Sequence, residues 1–280
     1  ISFTNEKVAK LVKGLKNYKK NNIGNLHNED WFEWSEGRIS LGRRSAGSSS
    51  SSKKIHSHGI AIGADKINDE DPDTMHGYVL QFGNDDVDIG SSGSKLNTNS
   101  YSLSMYGTKL RNNGMFSDGI IGISILDINH KRVIYGNDLA GDRRGTQLFG
   151  SVNLGKRLNN EKINLNPGVK IDLGYTELDA YRENTVKSNS QADALIFKKQ
   201  EILSGIATIG VLLDKTDKNN NEEKIINHHG RLEYILDFSP SSEAEFYYVN
   251  SQSTNYKLNV GNQKNNYRIG YGFDLTSING

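Results

Sequence analysis

The chain has 280 residues, enough for one large barrel or two ordinary domains, and no break in composition favours the second. Its 34 basic and 33 acidic side chains leave a net charge of +1, which excludes an overall field for nucleic acid; the lack of cysteine excludes a disulfide framework and a thiolate-ligated metal. No apolar run approaches the roughly 20 residues of a membrane-spanning helix, and a mean hydropathy of −0.63 would suit a soluble protein, but a β-barrel escapes that inference because only alternate strand residues face lipid.

Ile1 is followed by no basic, apolar, small-residue signal segment, so the sequence reads as a fragment or a processed product. The opening segment, 1–29, carries a helical pattern. Val8, Leu11, Val12 and Leu15 recur at i, i+3, i+4 and i+7, with Lys7, Lys10, Lys13, Lys16, Lys19 and Lys20 elsewhere on the cylinder. Ser2, Thr4 or Asn5 can cap its start, and Asn21, Asn22 and Gly24 supply stop signals. This is a short, basic, amphipathic helix.

From Trp31 the period changes from 3.6 to 2, and the region 30–280 reads as a long meander of alternating segments between connections rich in Gly, Asn, Asp and Ser. Strands are expected near 31–44, 55–65, 77–83, 100–110, 116–126, 146–157, 163–176, 202–213, 230–238, 243–250, 255–260 and 266–275. In the seventh, Ile163, Leu165, Pro167, Val169, Ile171, Leu173 and Tyr175 share one face, against Asn164, Asn166, Gly168, Lys170, Asp172 and Gly174 on the other. Twelve is even, as the first and last strands of a single-chain bacterial barrel require if they are to pair antiparallel.

If the first strand runs outward, the connections that include 48–52, 90–99, 127–144 and 177–199 fall outside, and these are the long ones. Those after strands 4, 6 and 10 are brief, matching short periplasmic turns, whereas 65–76 and 214–224 are long for that side. A soluble sandwich also alternates, but it fills its apolar faces against each other. The run of consecutive strands, the 13 tyrosines and small residues such as Gly59, Ala61, Gly63, Gly83, Gly270 and Gly272 on the polar face favour a barrel in lipid, with tyrosines in two interfacial girdles.

The chain resembles the autotransporter (type V secretion) translocator domain over nearly its whole length. The resemblance is carried by the lysine-rich helix, the first strand with Trp31 and Trp34, the phrase from Gly59 to Asp65, and the strand pair around Leu154-Gly155 and Leu165-Asn166-Pro167. The last strand, with Arg268, Gly270, Phe273 and Leu275, looks like the terminal signal read by outer-membrane assembly machinery. It departs from the family in ending on the tail Thr276 to Gly280, where an aromatic terminus is usual.

The resemblance implies an all-β, 12-stranded antiparallel transmembrane barrel in the bacterial outer membrane, with the helix of residues 1–29 in its lumen. Its implied partners are outer-membrane lipid, barrel-assembly machinery, periplasmic chaperones and a covalently linked passenger exported to the cell surface. No cofactor and no catalytic site are implied. In the lumen, Lys7, Lys10, Lys13 and Lys16 would meet carboxylates for which Glu33, Glu36, Asp172 and Glu233, together with Asp237, Glu243 and Glu245, are candidates. Some relatives cleave themselves by attack of an asparagine side chain, for which Asn21 and Asn22 would stand; a C-cap or turn role is the ordinary reading of such residues.

Other chemistry has less support. His56 and His58 share a strand face and His228 and His229 are adjacent, but no third metal ligand is placed. No Gly-x-Ser-x-Gly elbow, phosphate loop or His-Glu-x-x-His helix occurs. The competing readings are a stand-alone outer-membrane channel or adhesin barrel, and a soluble secreted β-protein.

Overall fold

The computed structural model describes residues 31–47, 51–159, 163–186, 191–218, 224–260 and 265–277. These form β1 (Phe32–Arg44), β2 (Lys53–Ile67), β3 (Thr74–Ile89), β4 (Ser94–Leu110), β5 (Met115–Ile134), β6 (Asn137–Lys156), β7 (Leu158–Asn159), β8 (Asn164–Leu178), β9 (Tyr181–Arg182), β10 (Asn184–Thr185), β11 (Leu195–Phe197), β12 (Gln200–Lys218), β13 (Lys224–Asp237), β14 (Ser242–Tyr248), β15 (Ser251–Val260) and β16 (Asn265–Ser277). The expected helix lies outside the described residues.

One sheet carries the chain in the order β1, β2, β3, β4, β5, β6, β8, β12, β13, β16; off this path β10 pairs with β6 and β7 with β8. Every neighbour pair is antiparallel. Ten of the expected strands therefore lie on this path in the expected order. The segments expected at 243–250 and 255–260 leave it: β14 and β15 form a hairpin in a second sheet of order β15, β14, β11, β9, and β13 pairs directly with β16. Among the described residues no pairing joins β1 to β16.

We call proximal the rim where β1 begins and distal the rim where it ends. The distal connection expected at 127–144 proves to be strand. β5 and β6 run 20 residues each, about twice the 9–11 residues that span a bilayer, and turn through Tyr135 and Gly136. Both turn residues have positive φ, 47° and 80°, as a two-residue hairpin turn of the primed type demands.

Alternation gives the sheet an inverted distribution of polarity. On β5 the outer residues Ile121, Ile123 and Ile125 are 52, 59 and 57% exposed, whereas the inner Asp118 and Ser124 are 4 and 5% exposed. The register continues this band sideways: Ile60, Phe82 and Tyr101 are cross-strand neighbours in one row, and Ile123, Leu148, Tyr175 and Leu203 in another. A wide exposed aliphatic band with polar groups behind it is stable only if the outer solvent is apolar. Six tyrosines, Tyr78, Tyr101, Tyr175, Tyr234, Tyr267 and Tyr271, sit on the outer face. Tyr106 points inward, and Tyr181, Tyr247, Tyr248 and Tyr256 belong to the second sheet, so these five do not join an outer girdle.

Near the proximal rim the inner face is packed by aromatic rings laid on glycines. Trp34 lies opposite Gly63, and Tyr106 opposite Gly77. A Cβ at either glycine would land within the facing ring. The rings thus cover backbone that a side chain would otherwise occupy, next to the buried cluster Ala61, Met75, Val79 and Tyr106. Gly63→Ala is expected to destabilise the barrel by about 1–3 kcal/mol through overpacking. Gly37→Ala, where a Cβ meets nothing within 4 Å, should be near neutral. Urea unfolding in detergent checks this, and equal midpoints for the two variants would remove the packing argument.

Candidate functional site

The inner face combines small residues with polar groups that satisfy one another. The Trp34 indole N–H donates to the Tyr106 hydroxyl at 3.0 Å, which donates to Asp65 Oδ2 at 2.8 Å. Asp118 accepts from Thr108 Oγ1 at 2.5 Å and from Asn153 Nδ2 at 2.9 Å, both cross-strand neighbours. Further round, Lys170 lies 2.6 Å from Asp172 as an ion pair, and Arg268 Nη1 donates to Glu233 Oε2 at 2.9 Å. The buried carboxylates among these, Asp65, Asp118 and Asp172, persist because each has a partner, whereas Arg268 is exposed.

The positions singled out in the sequence fall as follows. Glu36, Asp172 and Glu233 are on the inner face. Glu33 is not: it shares the outer face of β1 with Ile39 and Leu41, because placing Trp34 over Gly63 fixes the parity of the strand. Asp237 is on the inner face, but Glu243 and Glu245 belong to β14 and bond Lys257, with Glu245 also holding Lys198. Lys7, Lys10, Lys13, Lys16, Asn21 and Asn22 lie outside the described residues. In β16, Arg268 and Gly270 face inward and Phe273 outward, while Leu275 is in register with Ile226. His56 and His58 face outward, and His228 and His229 project to opposite faces of β13. Among the described residues no group of three His, Cys, Asp or Glu forms a metal-binding set.

Sequence reasoning missed a distal module. Beyond the aliphatic band, the outer face of the β5–β6 hairpin turns polar, with Asp127 paired to Arg144 and Lys131 to Asp138. Its inner face buries Ile128 and Leu139 under the second sheet. A column of rings crosses that contact: His130 to Tyr181 at 4.8 Å, Tyr181 to Phe197 at 4.8 Å, Phe197 to Phe246 at 5.3 Å and Phe246 to Tyr256 at 5.6 Å. Burial, then the Glu183 charge, holds the Tyr181 phenol above its ordinary pKa.

Charged groups lock the column. Arg132 grips Glu183 with two hydrogen bonds, Nε to Oε1 at 2.9 Å and Nη2 to Oε2 at 2.5 Å, and Glu183 also accepts the Leu195 backbone N–H. The Arg143 guanidinium donates to the carbonyls of Asp179 and Lys198 and lies 5.4 Å from the centre of the Tyr181 ring. Hydrogen bonds from Lys198, then Asn255 and Lys257, hold the Glu245 carboxyl well below the usual carboxylate range. Tyr181 and Phe197 sit in a stretch without alternation, so the only sequence signal was aromatic residues in an otherwise polar connection.

An inverted, antiparallel, single-meander sheet with a polar inner face defines an outer-membrane β-barrel protein. The sequence profile of the autotransporter beta-domain family matches residues 34–279. The chain belongs to that family, and is an outer-membrane translocator of an exported passenger. Among solved structures, it is similar to the translocator domain of the autotransporter NalP from Neisseria meningitidis, at 13% identity over 95% of each chain with a TM-score of 0.59. It is also similar to the beta domain of the Bordetella autotransporter BrkA, at 13% identity over 88% of this chain and 98% of that one, with a TM-score of 0.57. These likenesses concern the fold. No curated protein sequence matches the chain.

Glu183→Gln is expected to loosen the distal module by about 2–4 kcal/mol, because it leaves Arg132 without its charge partner; the figure sits below a fully buried pair since Arg132 is 31% exposed. Limited proteolysis of the folded barrel should then cut within 179–199 much faster than in the wild type. Unchanged cleavage would show that the module is held by the ring column alone.

Proposed function

We propose that the distal rim faces the cell exterior, that the passenger crosses to the surface and stays anchored by the barrel, and that residues 1–29 occupy the lumen afterwards. The observation that carries this reading is the single sheet of ten antiparallel strands with an aliphatic outer face and a polar inner face whose carboxylates Asp65, Asp118 and Asp172 have partners. Lys7, Lys10, Lys13 and Lys16 then lie against the inner wall near Glu36, Asp172 and Glu233, joining the pair already made by Lys170 with Asp172. Glu33 is left out, since its side of β1 is the apolar one. No nucleotide loop is needed, because assembly and folding of the passenger outside can drive transfer.

The wall as a whole we read as twelve strands, with the β14–β15 hairpin entering between β13 and β16. Closure is required energetically, because the open sheet leaves two edges, at β1 and β16, whose backbone groups cannot be satisfied in hydrocarbon; the strand number rests on the hairpin. Both hairpin strands alternate, with Tyr256 and Leu258 42 and 56% exposed outside the sheet path. The partners beyond the passenger follow from the same reading. Lipid surrounds the aliphatic band, periplasmic chaperones hold the unfolded meander, and the edge of β16 adds to the assembly machinery by strand pairing.

Two measurements bear on this. Replacing Lys7, Lys10 and Lys13 by Gln should raise ion conductance of the barrel reconstituted in planar bilayers; unchanged conductance would remove the lumenal placement. Cysteines at 233 and 268 face each other in the β13–β16 pairing, whereas two inserted strands would separate them by roughly 14 Å, beyond disulfide reach. No cross-link in the outer membrane is expected, and an efficient one would refute the twelve-strand wall.

A further inference from the structure

Beyond the aliphatic band, alternation sends Ile128, His130 and Arg132 of β5 to the inner face and leaves Asp127, Asn129 and Lys131 outside. Gly141 stands opposite His130 on β6, and a Cβ there would fall 2.8 Å from the Tyr181 ring. Tyr181 therefore lies in the space that the glycine leaves, and stacks on the His130 imidazole at 4.8 Å and 9°. This contact holds residues 179–186 and 191–199 on the lumen side of the hairpin extension. The two stretches are tied to each other where the Glu183 N–H donates to the Leu195 carbonyl at 2.8 Å and the Leu195 N–H to Glu183 Oε2 at 2.9 Å. None of these contacts uses the β14–β15 hairpin, so they do not depend on where that hairpin sits.

His130 differs from the other polar groups of the module in what it lacks. Arg132 is gripped by Glu183 and Arg143 donates to backbone carbonyls, whereas the buried His130 Nε2 has no hydrogen-bond partner among the described residues. A neutral imidazole can leave that nitrogen as a bare acceptor. An imidazolium carries an N–H on both nitrogens and would bury one of them without an acceptor. The surrounding charges do not make up for this. Arg143 and Arg132 are of like sign, Glu183 is committed to Arg132 and to the Leu195 N–H, and Asp142 stands on the outer face of β6. The phenols of Tyr181 and Tyr248 stand beside Arg132 and do not bond Nε2. Burial, then the Arg143 charge, accordingly pushes the His130 imidazole below its ordinary pKa, against the smaller opposing fields of Glu183 and Asp142.

We propose that His130 is a proton-operated latch of the distal module: residues 179–186 and 191–199 stay closed on the lumen side of the rim while His130 is neutral, and are released when it takes up a proton. The released ring reaches water and binds its proton at the ordinary pH, whereas the closed ring binds it only at lower pH. Closure is therefore fully stable above the ordinary imidazole value of 6.5 and is lost as pH falls through the window below it. The latch reads the pH of the compartment that the distal rim faces, and it does not rest on which compartment that is.

The test is hydrogen exchange of the Glu183 and Leu195 amides in the full chain, folded in detergent, with each rate divided by the intrinsic rate at the same pH. Uptake of one proton by a released imidazole of ordinary pKa makes opening about tenfold easier between about pH 7.5 and about pH 5.5. Protection of both amides should therefore fall by about tenfold over that interval in the wild type. His130→Phe keeps a ring against Tyr181 and cannot take up a proton, so its protection should not fall. Gly141→Ala displaces the Tyr181 ring and should lower protection already at neutral pH. Heat-modifiable gel migration confirms that each variant is folded, and His130→Gln is read if His130→Phe is not. Equal protection of the wild type at the two pH values would overturn the proposal, as would the same acid loss in the His130 variant. Undiminished protection in Gly141→Ala would overturn the ring contact on which the latch depends.

Discussion

A backbone amide that gives up water for hydrocarbon has to find its partner inside the protein, and the arrangement of this chain follows from that requirement. Each wall strand passes its donors and acceptors to antiparallel neighbours, so polar backbone disappears into the sheet whatever the side chains are. The side chains are then free to differ across the sheet. Ile121, Ile123 and Ile125 meet one solvent while Asp118 and Ser124 meet another, only a strand thickness away. A mean hydropathy typical of a soluble protein is the arithmetic result of averaging these two faces.

That period-2 contrast is also what made the wall legible without a structure. Segments such as 163–176, which alternate over their whole length, fall on the expected strand and face, because one residue of slip would expose every polar group to lipid. Legibility failed where alternation stopped meaning lipid. Outside the bilayer both faces of a strand can be polar, so the β5–β6 extension, with Asp127, Asn129 and Lys131 along one side, looked like a loop. Glu33 failed for a related reason. Its parity was set by a neighbour, Trp34, whose ring needs the space that Gly63 leaves, and polarity alone did not reveal this.

The pair β14–β15 is the instructive intermediate case. Its alternation is strong enough to pass for wall, yet Phe246 and Tyr256 continue a ring column that begins on β5 and passes through the 179–199 connection. Alternation specifies a strand with two unlike faces, not which partner takes the apolar one. Lipid and an aromatic column are both adequate answers for a short hairpin. In this structure the aromatic column takes it, through contacts far apart in sequence, His130 with Tyr181 and Lys198 with Glu245, which no local pattern encodes; insertion into the wall would exchange them for lipid.

The inner face bears on transport through what it neutralises. A conduit has to let its cargo enter and leave, so strong unpaired charges along the wall would be counterproductive. Here Lys170 is matched to Asp172, and Asp65 and Asp118 are held by a phenol, a hydroxyl and an amide. A carboxylate already supplied with donors attracts a passing cation less than a bare one would, because part of its field is spent on fixed partners. The wall can therefore be polar enough to stay hydrated and still offer little to grip an extended chain in transit. A segment that stayed behind would have to compensate by presenting many weak contacts at once, and the sequence places a lysine at every third residue from Lys7 to Lys19.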